Sequence, residues 1–186
     1  MTMAGNAQTD HASPASAWDR RRPELALALL GCVIATWLAL YQWRVVPLLW
    51  DPLFGSGSER VLDSPIANTL PIPDATLGVV AYLLEAMAVA VGGQDRWRTQ
   101  PWIVVGFGLI ATALALVGLL LVLAQALLVR AWCTLCLTSA TISFIMFAAA
   151  IPEVAATLHH LKRMRAAGRS FWTTFWGNTA SVEHDR

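Results

Sequence analysis

The residues best suited to chemistry are Cys133 and Cys136, which lie in the run Ala131-Trp132-Cys133-Thr134-Leu135-Cys136-Leu137 at the start of a long apolar stretch. On a helix, two residues three apart share one face, and their α-carbons lie within the range that a disulfide accepts. A cysteine near a helix N-terminus is favoured as a thiolate, because unpaired N–H groups and the helix dipole stabilise negative charge there. At a membrane edge, such a dithiol can exchange electrons with a soluble protein thiol or with a lipid-dissolved quinone.

The alternatives to redox chemistry for the cysteine pair are a zinc site, a copper site and a purely structural role. Zinc needs four Cys or His ligands, but Cys32 lies in the inner half of another apolar run, and His159 and His160 lie roughly 35 Å of helix beyond Cys136. We therefore expect no zinc site, while a two-thiolate Cu(I) site and a purely structural pair remain open. Cys32, which lies among Leu and Val, is expected to be a small core hydrophobe.

The composition indicates a small polytopic membrane protein. Of the 186 residues, 56% are hydrophobic and only 13% are charged, which is too apolar for a soluble domain of this size. The formal net charge of +1 gives no sign of a nucleic-acid partner. Three cysteines are too few for a disulfide framework.

Four apolar segments approach or exceed the ~20 residues that cross the hydrocarbon core. They are Leu25–Trp43, Ala75–Val91, Pro101–Leu128 and Trp132–Ile151. The sequence therefore predicts an all-α integral membrane fold, a bundle of four transmembrane helices. The first segment is too long for a signal peptide and lacks a cleavage site, so we expect it to be retained.

Local signals set the helix boundaries and the connection between the first two spans. Asp74 is expected to be an N-cap, Pro101 opens its helix, and Pro152 is expected to stop or kink the last span. The connection of about 30 residues is long for a structureless loop, so a functional lid is expected there. Within it, Ser58–Leu62 can form one or two helical turns, and Leu70–Pro73 leads stiffly back to the membrane.

Basic residues predict the orientation by the positive-inside rule. One side of the membrane carries Arg20, Arg21, Arg22, Arg96, Arg98, Lys162, Arg163, Arg165 and Arg169, whereas the other carries only Arg44, Arg60 and Arg130. Both termini are then cytoplasmic in a multi-pass protein of the cell membrane. The two cysteines lie at the outer face, in the compartment where disulfides are made.

Three regions are distinguished along the chain. Residues 1–18 are expected to be a disordered tail, 19–152 the four-helix membrane domain, and 153–186 a cytoplasmic helical extension and tail. Within that last region, the aromatic run 171–176 is typical of an interfacial anchor, with a poorly ordered tail as the alternative.

The predicted spans also contain polar residues, either within them or near their ends. Glu85 within the second span is either a functional carboxylate or a side chain that reaches the cytoplasmic interface. Gln42 and Gln125, near the outer span ends, are expected to be interfacial.

Four spans, a long outer loop after the first and a Cys-x-x-Cys opening the last resemble the vitamin K epoxide reductase family. The resemblance covers roughly Leu25 to Ile151. Three local segments carry it in the right order: Ser58–Ser64 in the loop, Pro71–Tyr82 at the second helix, and Trp132–Thr138 at the cysteines.

The resemblance implies a bundle around a quinone, either menaquinone or ubiquinone. Cys136 would react with the quinone and Cys133 would exchange with an incoming thiol. Ser64 matches a position that hydrogen-bonds one quinone oxygen, and Asp74 matches a polar position at the other oxygen. Tyr82, two turns beyond Asp74 on the same helix face, is expected to turn its hydroxyl into the bundle and completes the predicted quinone-binding set.

The implied activity is the formation of disulfide bonds by a membrane oxidoreductase. Its implied partners are membrane lipid, the quinone and a separate thioredoxin-like or other extracytoplasmic thiol protein.

The sequence departs from the family pattern in the loop. The family usually has two loop cysteines that pass electrons to the Cys-x-x-Cys, whereas here Ser58 aligns with the second and Asp51 lies near the first. Asp74 replaces an amide donor, and Ala140 stands where some relatives have tyrosine. The alternative hypothesis is a quinone- or lipid-binding membrane module that has lost dithiol oxidase activity.

Overall fold

The computed structural model describes residues 18–65, 67, 71–93 and 96–176, and these residues form helices without any strand. The predicted N-terminal tail, residues 1–18, lies outside the described residues except for Trp18, and so do residues 177–186 of the predicted C-terminal extension. Leu70, the first residue of the predicted stiff segment Leu70–Pro73, also lies outside them. The long helices are α1 (Trp18–Gln42), α3 (Asp74–Ala90), α5 (Pro101–Ala124) and α6 (Thr134–Ala166). Short helices are α2 (Gly57–Leu62), α4 (Arg96–Thr99) and α7 (Phe171–Phe175), and a π-helical turn, Gln125–Val129, extends α5.

Three described helical segments are long and apolar enough to cross a membrane: Trp18–Gln42, Pro101–Val129 and Thr134–Ala166. Helix α3 has 17 residues, a rise of about 26 Å, slightly less than the roughly 30 Å hydrocarbon core. The all-α prediction is confirmed, and so is the presence of several membrane-crossing helices. A crossing by α3, and with it the count of four, remains a prediction.

Small residues let the long helices approach closely. Helix α1 packs along α3, and α5 packs along α6. Gly31 of α1 lies against the ring of Tyr82, where a β-carbon would overlap the ring atoms. Ala111 and Ala115 are buried on α5, and Ala140 is buried on α6. In lipid, where helices gain little from apolar burial, such close packing is a main source of association.

Two helix boundaries differ from the sequence-based expectation. Asp74 is the first residue of α3 and not its N-cap, because Pro73 holds that position in an extended conformation. Pro152 does not stop α6, which continues to Ala166, and a kink at Pro152 stays a prediction.

At the end of the bundle opposite the cysteines, two buried arginines cap α3. Arg21 donates to the carbonyls of Val89, Val91 and Gly92, and Arg96 donates to Ala88 and Val91. Positive charge at a helix C-terminus is favourable, because the last carbonyls are unpaired and carry the negative end of the dipole. The sequence indicated only that these arginines lie on the more basic side.

The second arginine also ties α3 to the last helix. Arg96 makes a bidentate ion pair with Glu153 of α6, with N–O distances of 2.6 and 2.7 Å. Both side chains are almost fully buried. This contact therefore joins the start of α4 to α6.

Candidate active site

Cys133 and Cys136 lie across the start of α6. Cys133 is its N-cap with an extended backbone, and Cys136 lies in the first turn. The pair therefore straddles the helix start, whereas the sequence placed both residues on the helix. The Cys133 sulfur accepts the backbone N–H of Cys136 at 3.1 Å, as expected for an N-cap side chain that satisfies an unpaired donor. The two sulfurs are not joined by a disulfide in this structure.

The environment of Cys133 favours its thiolate form. The side chain of Cys136 hydrogen-bonds to it, and this contact, with the backbone N–H of Cys136, holds the pKa of Cys133 below its usual value. Burial and the charge of Asp51 act in the opposite direction but do not cancel the effect. Cys133 thus has the character of a nucleophilic thiol.

The α1–α3 connection, residues 43–73, covers Cys133 through its helix α2. Cys133 is 0% exposed and packs with Leu49, Val61 and Leu62. Gly57 lies so close to the Trp132 carbonyl that a β-carbon there would overlap its oxygen. The connection would therefore have to move before a molecule from outside could reach Cys133.

Asp51 anchors the connection to the start of α6. Its carboxylate accepts hydrogen bonds from the Thr134 hydroxyl, from the Ser58 hydroxyl at 2.6 Å, and from the backbone N–H groups of Leu53 and Phe54. Burial opposes the charge, but these bonds outweigh it and hold the pKa of Asp51 well below its usual range. Ser58 also hydrogen-bonds with the Cys133 side chain.

Cys136 faces a cavity of about 320 Å³ inside the bundle, a size within the range of small-molecule sites. Cys133 is not among its lining residues. The walls are mainly apolar and come from all four long helices and the α1–α3 connection. The polar residues on them are Ser64, Asp74, Tyr82, Gln125, Ser139 and Ser143. This setting suits a largely apolar ligand with a few polar atoms.

The structure brings four of the five predicted site residues to this one cavity: Cys136, Ser64, Asp74 and Tyr82. The Ser64 hydroxyl donates to the Val61 carbonyl at 2.6 Å. The Tyr82 hydroxyl lies in the bundle, 2.9 Å from the Ser139 carbonyl and 2.8 Å from the Ser143 hydroxyl. Whether these residues bind a ligand stays a prediction.

Asp74 is held by α1. Its Oδ1 accepts the Gln42 side-chain N–H at 2.6 Å, and the Gln42 oxygen accepts the backbone N–H of Ala75 at 3.2 Å. Gln42 is therefore part of the support of the site and is not a freely exposed interfacial side chain.

The interfacial prediction for Gln125 is wrong, because this residue is 1% exposed. Its Oε1 accepts the backbone N–H of Cys133 at 2.9 Å, eight residues along the chain. The π-helical turn that begins at Gln125 ends at Val129, and the next residue, Arg130, has a left-handed φ of 53° that lets the chain turn toward Cys133. Local spacing in the sequence carries no signal for this long contact.

Ser139 and Ser143 are further wall residues that the sequence analysis missed. They follow Cys136 at intervals of three and four, the spacing of one helix face. That pattern was present in the sequence and could have identified them.

The family model of the Vitamin K epoxide reductase family matches residues 23–151. The chain belongs to this family. The match runs from within α1 to Ile151, about halfway along α6, and therefore covers the whole cavity and both cysteines. No curated protein matches the chain. Membership and the three apolar helices together make this a multi-pass membrane protein of an oxidoreductase family that acts on quinones.

Proposed function

We propose that this family member couples thiol–disulfide exchange at Cys133 to the reduction of a quinone beside Cys136, with disulfide-bond formation as the outcome. The observation that carries the proposal is the division of the pair: Cys136 lines the apolar cavity, whereas Cys133 lies under the α1–α3 connection. The Cys136 sulfur thus lies at a ligand site. The Cys133 sulfur lies beneath the connection, the side from which a partner thiol would approach.

The cavity fits the group that the family implies. A quinone is flat and mainly apolar with two carbonyl oxygens, and the walls are apolar with a small number of polar groups. Cys136, Ser64, Asp74 and Tyr82 would hold it. When bound, a quinone accepts two electrons and two protons, and either menaquinone or ubiquinone has this chemistry.

The remaining steps belong to the chain and its thiol partner. A partner thiolate attacks the Cys133 sulfur of the Cys133–Cys136 disulfide, which releases Cys136 as a thiolate and leaves Cys133 in a mixed disulfide with the partner. The partner's second thiol then attacks the partner sulfur of that mixed disulfide, which closes the partner's own disulfide and releases Cys133 as a thiolate. Two thiols are oxidised to one disulfide, and the Cys133–Cys136 pair becomes reduced. The pair then closes again as its two electrons and two protons pass to the quinone. A thioredoxin-like or other extracytoplasmic protein supplies the partner thiols.

The proposal includes a topology. Helix α3 crosses the membrane as the fourth span, both termini are cytoplasmic, and the α1–α3 connection acts as an outer lid in the cell membrane. Residues 19–152 form the membrane domain, and residues 153–186 form the cytoplasmic extension, with 171–176 as an interfacial anchor. The greater number of basic residues at the end opposite the cysteines supports this orientation.

The test is dithiothreitol-driven quinone reduction by the full chain in membranes. Cys133→Ser and Cys136→Ser should each lower the rate to the background of membranes without the protein. The matched control is Cys32→Ser, which removes the remaining cysteine and should keep the wild-type rate. Activity retained in either variant of the pair contradicts the proposal.

A second candidate is a membrane module that binds a quinone or another lipid without oxidising thiols. It is favoured by the complete burial of Cys133 and by the lack of any cysteine between Cys32 and Cys133 in the sequence. In the same assay, this candidate predicts background rates for the wild type and all three variants, together with measurable quinone binding.

A further inference from the structure

Gln125 is a buried amide on the wall of the cavity. It is 1% exposed and begins the π-helical turn that extends α5. π-helical turns are rare and are frequent at functional sites. The cavity wall at this point therefore contains a polar group in a segment that is otherwise apolar.

The contact with Cys133 distinguishes the oxygen of the Gln125 side-chain amide from its nitrogen. A backbone N–H can only donate, so the Gln125 atom that it meets at 2.9 Å is the oxygen. The other atom, Nε2, carries two protons and has no hydrogen-bond partner among the described residues. Leaving such a buried donor unsatisfied is unfavourable, so this amide has a donor available for a bound ligand.

The other polar wall residues have protein partners. Ser64 donates to Val61, Tyr82 lies within hydrogen-bond distance of α6, and Asp74 accepts from Gln42. Among the cavity-lining residues that the structure describes, Gln125 is the one with a buried side-chain donor left over. An acceptor atom of the ligand is thus expected near Gln125.

We propose that Gln125 Nε2 donates a hydrogen bond to a carbonyl oxygen of the bound quinone, while Oε1 holds the backbone of Cys133. This inference rests on the proposed function and adds a ligand-binding residue to it. One amide then fixes the ligand relative to the cysteine pair. Neither the sequence motifs nor the family match assigns this role to Gln125.

The test uses 2-methyl-1,4-naphthoquinone as the probe, added to the full chain in detergent without reductant. Binding is measured by titration, and the carbonyl stretch of the bound, ¹³C-carbonyl-labelled probe is measured by infrared difference spectroscopy. Gln125→Met has a similar side-chain length and no donor. The matched control is Gln100→Met, which makes the same change at the opposite end of α5 and outside the cavity.

In the wild type, one carbonyl band should lie at lower frequency than in the free probe. Gln125→Met should move that band back toward the free position and weaken binding about tenfold, whereas Gln100→Met should change neither. A wild type that binds the probe with no lowered band overturns the inference without the need for any variant. So does Gln125→Met with wild-type affinity and band position.

Failure of the inference can be told apart from failure of the proposed function. If the wild type binds the probe but Gln125 makes no difference, the quinone site stands and only the role of Gln125 is wrong. If the wild type does not bind the probe, the quinone function is wrong and the inference is wrong with it.

Discussion

Ser58 lies between Asp51 and Cys133, with its hydroxyl 2.6 Å from the Asp51 carboxylate and within hydrogen-bond reach of the Cys133 sulfur. A hydroxyl has one proton, so Ser58 can donate to the carboxylate or to the thiolate, but not to both. The family resemblance aligns Ser58 with one loop cysteine and places Asp51 near the other. A serine–carboxylate pair thus contacts Cys133 from the α1–α3 connection.

Asp51→Asn should lower the pKa of Cys133. In the wild type the negative charge of Asp51 raises this pKa, and the carboxylate competes for the Ser58 proton. With both effects removed, the thiolate forms at lower pH, and the first thiol titration should move further below the usual value of about 8.5. The ultraviolet absorbance of the thiolate against pH, in a Cys32→Ser background, measures this. A rise in that first pKa would contradict the assignment.

Gly57→Ala should open the cover over Cys133. The added methyl group would overlap the Trp132 carbonyl oxygen, and overpacking of this kind costs about 1 kcal/mol or more in the closed arrangement. Iodoacetamide should then alkylate Cys133 at least about fivefold faster, since 1.4 kcal/mol corresponds to a factor of ten. The control is Gly93→Ala, where a β-carbon meets open space. Equal rates for the two variants would show that α2 does not restrict access.

Asp74→Asn should strengthen quinone binding. The asparagine oxygen can still accept from Gln42, as Asp74 does now, and its N–H₂ group adds a donor at the cavity wall without negative charge. One added neutral hydrogen bond is worth about 1 kcal/mol, so the dissociation constant for 2-methyl-1,4-naphthoquinone should fall about fivefold. Unchanged binding would show that Asp74 does not contact the ligand, and weaker binding would contradict the expected gain from the added donor.

Arg96→Met should destabilise the end of the bundle opposite the cysteines. It leaves Glu153 buried without its ion-pair partner and removes a cap from α3, and breaking such a pair costs about 3–5 kcal/mol. Arg96→Met with Glu153→Leu should recover part of that loss, because no unpaired carboxylate remains. Unfolding of the purified chain by denaturing detergent measures both. A double variant that is less stable than Arg96→Met alone would contradict this account.

Much of the fold could be predicted from local sequence patterns. The apolar runs located the long helices because burial in lipid requires continuous apolar segments, and Ser58–Leu62 was recognised as a short helix. The cysteine pair and the order of its three flanking segments also led to the family. Local patterns could not predict the long-range polar contacts, such as the ion pair between Arg96 and Glu153.

The residues of the candidate site likewise divide into those that the sequence predicted and those that it did not. Cys136 was predicted from its spacing with Cys133, Tyr82 from its place on the helix face of Asp74, and Ser64 and Asp74 from the resemblance. The structure places all four at one cavity. Gln125 was predicted to be interfacial because it is a glutamine near the end of a span. The π-helical turn that begins at Gln125 and buries its side chain cannot be predicted from local sequence. Asp51 was seen only as a replacement for a cysteine, since its bond to Thr134 depends on how the connection folds back onto α6.

The most direct test of the central claim is the thiol state of the reduced full chain in membranes, trapped with an alkylating mass tag before and after quinone is added without oxygen. The account predicts that quinone converts Cys133 and Cys136 into a disulfide, with one quinol formed for each disulfide and Cys32 still free. If quinone binds and both thiols stay reduced, the cavity is a binding site only, and the claim that it accepts electrons from Cys136 is wrong.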